Sequence, residues 1–168
     1  MIIWLMGISG AGKSTLANRL LADLNYKNQV YLLDGDEVRS FFDNDLGYSR
    51  LDREQNVKRI IFAAATLEKN DIIVIVANIS PFENLRQLCR SKFDNYVEIF
   101  LNRKIENAQK SDVKGVYAKA AGSQTVGQSI PFEQPLKSDL EIDTDIVDVE
   151  TSLQIIKDYI VINKKIKF

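Results

Sequence analysis

The residues best suited to chemistry in this sequence form a glycine-rich run, GISGAGKST, at residues 7–15. The run fits the pattern G-x-x-x-x-G-K-[ST] through Gly7, Gly12, Lys13 and Ser14. Glycines let successive backbone N–H groups turn inward, and a helix that starts there adds its positive dipole end. We expect Lys13 to reach the β- and γ-phosphates of a nucleotide and Ser14 to bind magnesium through its hydroxyl. The predicted triphosphate-binding residues are Gly7, Ser9, Gly10, Ala11, Gly12, Lys13, Ser14 and Thr15.

The setting of this loop supports the same interpretation. An apolar run, MIIWLM, precedes the loop, and a helix-like segment, LANRLLADL, follows it. A phosphate-binding loop requires a strand before it and a helix after it. The alternative is a glycine-rich turn that carries a lysine and a serine by chance, and that alternative does not explain the setting.

A second polar cluster, DGDEVR at residues 34–39, follows the next apolar run. Carboxyl ends of parallel strands face the ligand crevice, so Asp34 and Asp36 are expected opposite the phosphate loop. One carboxylate could order magnesium-bound water while the other accepts a proton from an attacking hydroxyl. The alternative is an Asp-Gly turn in which Asp36 caps a helix. Arg39 lies one helical turn beyond Asp36 and could extend its guanidinium into the same crevice.

A basic segment with one aromatic residue, DLGYSRLDREQNVKR, occupies residues 45–59. Arg53 and Asn56 are three positions apart, on one face of the predicted helix, where they could bind a second phosphorylated substrate. Lys58 and Arg59 are better explained as part of a solvated helix face.

Short apolar runs alternate with helical patterns along the chain. Strands are predicted at MIIWLM, QVYLLD, DIIVIVAN, YVEIFLN and LEID, and helices near 13–25, 36–43, 49–70, 82–92, 104–110 and 148–162. Continuous apolar strands that alternate with helices indicate right-handed crossovers in a buried parallel sheet. The prediction is a three-layer α/β domain with a mainly parallel sheet.

Residues 111–137 break this pattern, with three glycines and two prolines among few large apolar side chains. This composition predicts a mobile lid with a short helix inside it. No linker or internal repeat separates a second unit, so residues 1–168 are predicted to form one domain.

Composition limits the possible functions. The chain has 168 residues, a net charge of −1, no histidine and a single cysteine, Cys89. A net charge this close to zero gives the protein no overall electrostatic attraction to a nucleic acid polymer or an anionic membrane. Without histidine, acid–base chemistry falls to carboxylates or lysines. A lone cysteine and an N-terminal apolar run without a basic leader predict a cytoplasmic protein.

Six motifs occur in the order and approximate spacing of one known family. They are GISGAGKST, LLDGDEVR, DLGYSRLDREQNVKR, NISP, KGVYAKA and DTD, and they extend over nearly the whole chain. By these motifs the sequence resembles the adenylylsulfate kinases. The resemblance implies a P-loop kinase fold. It also implies transfer of the γ-phosphoryl group of ATP, with Mg²⁺, to the ribose 3′-hydroxyl of adenosine 5′-phosphosulfate, and often a homodimer.

The resemblance also implies residue roles. Asp36 would receive or orient the proton of the 3′-hydroxyl, with Lys13 as the second catalytic residue. Tyr48 would pack on the substrate base, and Lys114 would be a lysine of the lid near the phosphates. With Asp34, which its position after the second strand places in the crevice, the predicted substrate-binding residues are Asp34, Arg39, Tyr48, Arg53, Asn56, Ile79, Ser80 and Lys114. Magnesium would be held by Ser14 with Asp34 or Asp36, directly or through water.

The sequence departs from the family pattern around the acceptor base. The usual FISPY reads NISPF here, which places Asn78 at an aromatic position and Glu83 where a basic residue is usual. The usual NFTGIDDPYE reads QTVGQSIPFE, so Thr125 replaces a phenylalanine of the adenine clamp. Stacking on an aromatic ring contributes about 1–3 kcal/mol per base. The loss of one ring should therefore weaken purine binding.

These departures resemble a divergent branch, the cytidine diphosphoramidate kinases of capsule phosphoramidate pathways. The sequence-based preference is for that acceptor, with adenosine 5′-phosphosulfate as the alternative. A nucleotide-dependent switch is the non-enzymatic alternative. The segment NRKIE lacks the aspartate of the guanine-reading N-K-x-D motif, and the two crevice carboxylates favour phosphoryl transfer.

Overall fold

The computed structural model describes residues 1–24, 29–111, 115, 117, 125–127 and 129–164. These residues form a five-stranded sheet in the order β2-β3-β1-β4-β5, in which every neighbouring pair is parallel. The strands are β1 (Ile2–Met6), β2 (Val30–Asp34), β3 (Ile73–Ala77), β4 (Tyr96–Asn102) and β5 (Leu140–Asp143). The predicted parallel α/β sheet is confirmed.

Six helices connect or flank these strands within the described ranges. They are α1 (Lys13–Leu24), α2 (Gly35–Phe41), α3 (Arg50–Glu68), α4 (Glu83–Lys92), α5 (Ile105–Lys110) and α6 (Val149–Lys164). None of the helices in this part of the chain is long and apolar enough to cross a membrane. The predicted elements agree with these bounds to within a few residues.

The central strand β1 packs against both helical layers because successive side chains point to opposite faces. Ile3 and Leu5 lie in a core with residues of α1 and α6, whereas Trp4 and Met6 lie in a core with residues of α3 and α4. All five residues of β1 are buried. The uninterrupted apolar run in the sequence therefore reflects a strand covered on both faces.

The parallel arrangement collects the polar segments at one edge of the sheet. The phosphate loop follows β1, the DGD motif begins at the last residue of β2, and the NISP segment follows β3. In the register, Asp34 pairs with Ala77, so the ends of β2 and β3 are side by side. This edge carries the candidate site.

Candidate functional site

The phosphate loop connects β1 to α1 in a backbone conformation that requires glycine. Gly7 and Gly12 have φ values of 149° and 94°. A side chain at Gly7 would also lie 2.5 Å from the carbonyl oxygen of Leu101 in β4. Lys13 Nζ donates a hydrogen bond to the carbonyl oxygen of Ile8 over 2.8 Å. The lysine side chain therefore folds back onto the loop that is predicted to bind the nucleotide phosphates.

Asp34 joins the phosphate loop to the DGD motif. Its Oδ2 accepts a 2.8 Å hydrogen bond from Ser14 Oγ, and its Oδ1 accepts a 2.9 Å hydrogen bond from the backbone N–H of Asp36. The second contact makes Asp34 the N-cap of α2. The alternative considered for Asp36, a helix cap, is therefore wrong. Asp36 lies inside the first turn of α2, and its side chain is exposed.

Two buried arginines lie beside Tyr48. Arg39 Nη1 donates to the carbonyl oxygens of Leu46 and Gly47, and Arg53 Nε donates to that of Tyr48. Their guanidinium carbons lie 5.0 and 5.4 Å from the centre of the Tyr48 ring. Burial, together with the positive charge of Arg39, lowers the pKa of Arg53 below its ordinary value. Such a pair of desolvated cations favours an anion between or beside them.

Asn56 is 2% exposed and lies against the DGD turn. Its Nδ2 is 3.4 Å from the carbonyl oxygen of Gly35, and its Oδ1 is buried without a hydrogen-bond partner in the part of the chain that the structure describes. Buried polar atoms are normally paired, so this oxygen is a candidate acceptor for a ligand group. The structure therefore brings Arg39, Tyr48, Arg53 and Asn56 to one region, next to α2.

The NISP segment is held tightly within the chain. Ser80 is 1% exposed and has a φ of 46°, which non-glycine residues seldom adopt. Its Oγ accepts a 2.8 Å hydrogen bond from Trp4 Nε1, and its carbonyl oxygen accepts one from Arg86 Nη1. Ile79 is partly buried. The predicted backbone contacts of Ile79 and Ser80 with a substrate stay a prediction.

A buried charge network behind this segment was missed by sequence reasoning. Arg86 is 1% exposed and donates to Glu83 and to the carbonyl oxygens of Ser80 and Glu133. Arg90 joins Glu83 to Glu98. Arginines on an amphipathic helix such as α4 look like solvated residues, so only the tertiary contacts reveal this network.

The predicted lid is only partly described. Lys114 lies outside the described residues. Thr125 is 6% exposed, and its carbonyl oxygen accepts hydrogen bonds from the N–H groups of Ser129 and Ile130. Phe132 stacks on Phe100 of β4 with ring centres 5.5 Å apart, and Glu133 N–H donates to the carbonyl oxygen of Pro81. These contacts connect the carboxyl end of the range 111–137 to the core, and the mobile lid stays a prediction.

Two depressions differ in their relation to this site. A cavity of about 340 Å³ borders the phosphate loop between Ile8, Arg103 and Phe132. A groove of about 680 Å³ between β2, α2 and α3 is lined by apolar side chains such as Phe41 and Phe62 together with a few charged ones such as Lys58. No predicted site residue lines the larger groove, so we place the candidate site at the sheet edge, where the charged residues meet.

The oxygen ligands at the edge of the sheet suit magnesium. Across the described ranges, no three His, Cys, Asp or Glu side chains converge on one point. Magnesium, however, is commonly bound by one or two carboxylates together with substrate phosphates. The Ser14 hydroxyl and the Asp34 carboxylate already lie within hydrogen-bond distance of each other beside the phosphate loop. These residues therefore fit the ion.

Comparisons with known proteins agree on one family. The family model described as Adenylylsulphate kinase matches residues 1–143. An adenylyl-sulfate kinase of Halothermothrix orenii is 39% identical over 162 residues, which are 94% of this chain and 88% of that protein. One of Rippkaea orientalis is 40% identical over 157 residues, 90% of this chain and 86% of that protein. The structure is similar to that of the Mycobacterium tuberculosis APS kinase CysC in complex with AMPPNP and APS. That comparison has a TM-score of 0.88 and 30% identity, and it covers 95% of this chain and 96% of the other.

Proposed function

This chain belongs to the adenylylsulfate kinase family and is an ATP-dependent kinase, and we propose that its acceptor is adenosine 5′-phosphosulfate. In this proposal the γ-phosphoryl group of ATP moves to the ribose 3′-hydroxyl of that nucleotide. The observation that supports the proposal is the proximity of three groups: the phosphate loop, which Ser14 joins to Asp34, the DGD carboxylates, and the buried arginines of α2 and α3 beside the DGD turn.

The mechanism assigns separate tasks to these groups. The loop N–H groups and Lys13 hold the β- and γ-phosphates and stabilise the charge that develops on them. Arg39 and Arg53 hold the phosphate end of the acceptor, and Tyr48 packs on its base. Asn56, whose unpaired atom is the acceptor Oδ1, receives a hydrogen bond from a hydroxyl or amino group of the acceptor. Asp36, exposed in the first turn of α2, orients the 3′-hydroxyl and accepts its proton, which leaves the oxygen free for in-line attack.

Magnesium, when bound, supplies positive charge to the phosphate oxygens. Ser14 and Asp34 are the residues that would hold it. Asp34 has a further task, because its other oxygen caps α2 and so positions Asp36. The carboxylate therefore links the ion site to the catalytic turn.

The acceptor base is the part of the proposal on which sequence and comparisons differ. The substitutions Asn78 and Thr125 favoured cytidine diphosphoramidate, but the family model and the relatives support the adenylylsulfate alternative better. Thr125 is also almost fully buried, so its side chain does not line an open polar pocket for a pyrimidine base. We therefore retain cytidine diphosphoramidate as a test outcome and not as the proposed acceptor.

A side-by-side assay tests the proposal. Adenosine 5′-phosphosulfate and cytidine diphosphoramidate are supplied separately with saturating magnesium-ATP, and ADP and the 3′-phosphorylated product are measured. We expect the higher kcat/KM for adenosine 5′-phosphosulfate. A higher value for the cytidine nucleotide would reverse the assignment of the base, and ADP formation that neither acceptor stimulates would contradict both.

The assembly of the chain is a separate prediction. The family resemblance predicts a homodimer, and one similar structure is a hexameric APS kinase from Thiobacillus denitrificans, although this chain spans only 29% of that protein. Light scattering on the purified protein distinguishes a monomer from a dimer directly.

A further inference from the structure

The side chain of Asn78 lies at the edge of the sheet that carries the candidate site, where sequence reasoning predicted a polar group near the acceptor base in place of an aromatic residue. Asn78 follows the last residue of β3, Ala77, which pairs with Asp34 at the end of β2. It is therefore beside the DGD motif. It is partly exposed, in contrast to Ser80, two residues later, which is 1% exposed.

Hydrogen bonds from Ser80 fix the orientation of the Asn78 amide. Both the backbone N–H and the hydroxyl of Ser80 donate to Asn78 Oδ1, over 2.9 and 3.1 Å. A backbone N–H can only donate, so the amide atom that faces it must be the oxygen. The hydroxyl of Ser80 in turn accepts a hydrogen bond from Trp4 Nε1 in the core. The orientation of the amide is thus set by a buried chain of contacts.

With the oxygen engaged, the amide nitrogen is directed toward the DGD turn. A Cβ atom built on Gly35 would lie 2.2 Å from Asn78 Nδ2, so the amide lies directly against the DGD turn and a larger residue at position 35 would displace it. The amide nitrogen has no hydrogen-bond partner among the described residues. It is also absent from the side-chain atoms that are both buried and unpaired, so it is accessible to a ligand. Its N–H groups therefore face the crevice as unused donors.

We propose that Asn78 binds the acceptor nucleotide through Nδ2, which donates a hydrogen bond to an oxygen or ring nitrogen of its base or ribose. This inference rests on the proposed function, because the proposed function is what places the acceptor nucleotide beside Gly35. A donor whose orientation is fixed before binding loses little conformational freedom on binding and selects an atom by its position. The side chain would thus replace the stacking contact of an aromatic residue with a directional one.

Two substitutions separate the donor from the rest of the side chain. Asn78→Asp keeps an oxygen for Ser80 but removes the donor, and Asn78→Ala removes both without adding charge. Asn70→Asp adds the same charge at an exposed site after α3 and serves as the control. For each protein, we would measure KM for adenosine 5′-phosphosulfate, KM for ATP, ATP hydrolysis without acceptor, and Tm.

We expect KM for adenosine 5′-phosphosulfate to rise about 5- to 10-fold in Asn78→Ala and at least that much in Asn78→Asp, as the loss of one hydrogen bond implies. KM for ATP, acceptor-independent hydrolysis and the Asn70→Asp control should change less than about twofold. An Asn78→Asp enzyme with the wild-type KM for the acceptor would show that the amide acts only through Ser80, which would overturn the proposal. An equal rise in both KM values in Asn78→Ala would overturn it as well. A wild-type enzyme that does not turn over the acceptor would instead contradict the proposed function.

Discussion

Ser14 Oγ donates a 2.8 Å hydrogen bond to Asp34 Oδ2 and so joins the start of α1 to the end of β2. The two residues are 20 positions apart in the chain, but β1 and β2 end at the same edge of the sheet. The other oxygen of Asp34 caps α2. One carboxylate therefore holds Ser14, the proposed magnesium ligand, and the first turn of α2 in fixed positions relative to each other.

Substitutions at Asp34 can separate its two tasks. Asn caps helices as well as Asp does, so Asp34→Asn should leave Tm nearly unchanged. The loss of charge should nevertheless raise the magnesium concentration for half-maximal activity several-fold. Asp34→Ala removes the cap as well and should lower the free energy of unfolding by about 1 kcal/mol. Equal magnesium dependence in the wild type and Asp34→Asn would remove Asp34 from the ion site.

Asp36→Asn tests the proton acceptor. Removal of a group that acts in the transition state typically lowers kcat by about 10²-fold or more. KM for both substrates should change little, because the amide has nearly the same shape as the carboxylate. The neighbouring Glu37→Gln is the control, since Glu37 is also exposed in the first turn of α2. Near-normal turnover by Asp36→Asn would exclude Asp36 as the base.

Lys13→Ala should lower kcat about 10²-fold, as Asp36→Asn should, because the ammonium group would no longer stabilise charge on the transferred phosphoryl group. The lysine donates to the Ile8 carbonyl oxygen, so circular dichroism and Tm are needed to show that the loop still folds. A Lys13→Ala enzyme with intact structure and normal kcat would contradict the assigned role.

Arg39→Ala and Arg53→Ala should each raise KM for the acceptor at least 10-fold and leave KM for ATP nearly unchanged. Arg59→Ala is the matched control, because Arg59 forms an exposed ion pair with Asp45 and should have little effect. If the arginine variants instead raise KM for both substrates equally, the two residues stabilise the local structure through their contacts with Leu46, Gly47 and Tyr48.

Glu83 should make stability depend on pH. Burial acts to raise its pKa, but hydrogen bonds from Arg90 and Arg86 outweigh burial and hold that pKa below its ordinary value. Its stabilisation is therefore fully present above about pH 4.3 and is lost as pH falls through the lowered pKa. Glu83→Gln should reduce the free energy of unfolding by about 1–3 kcal/mol at pH 7.

Denaturant unfolding at pH 7 and pH 3 measures this effect. The difference between the wild type and Glu83→Gln should narrow at pH 3, because this pH lies below the ordinary pKa of glutamate and the unfolded wild-type chain then binds the proton. Glu150→Gln, in an exposed pair with Arg19, should cost less than about 1 kcal/mol at either pH. A constant difference between the wild type and Glu83→Gln across this range would exclude the ion-pair explanation.

The sequence alone determined the parts of this protein that depend on local patterns. Glycine spacing in residues 7–15 predicted the phosphate loop, and apolar runs such as residues 73–77 predicted buried parallel strands, because periodicity and backbone freedom are local properties. The order of motifs also identified the family. These signals were sufficient to place Asp34 and Ser14 at one edge of the sheet.

Only the tertiary structure decided which side chains are engaged and which face the crevice. The cap of α2 is Asp34 and not Asp36, Arg86 is buried in a charge network, and Thr125 is enclosed. Asn78 gains its fixed orientation from Ser80, whose hydroxyl contacts Trp4 at a separation of 76 residues. Hydrogen bonds between distant segments depend on three-dimensional distance and direction, and neither residue type nor spacing along the chain specifies these quantities.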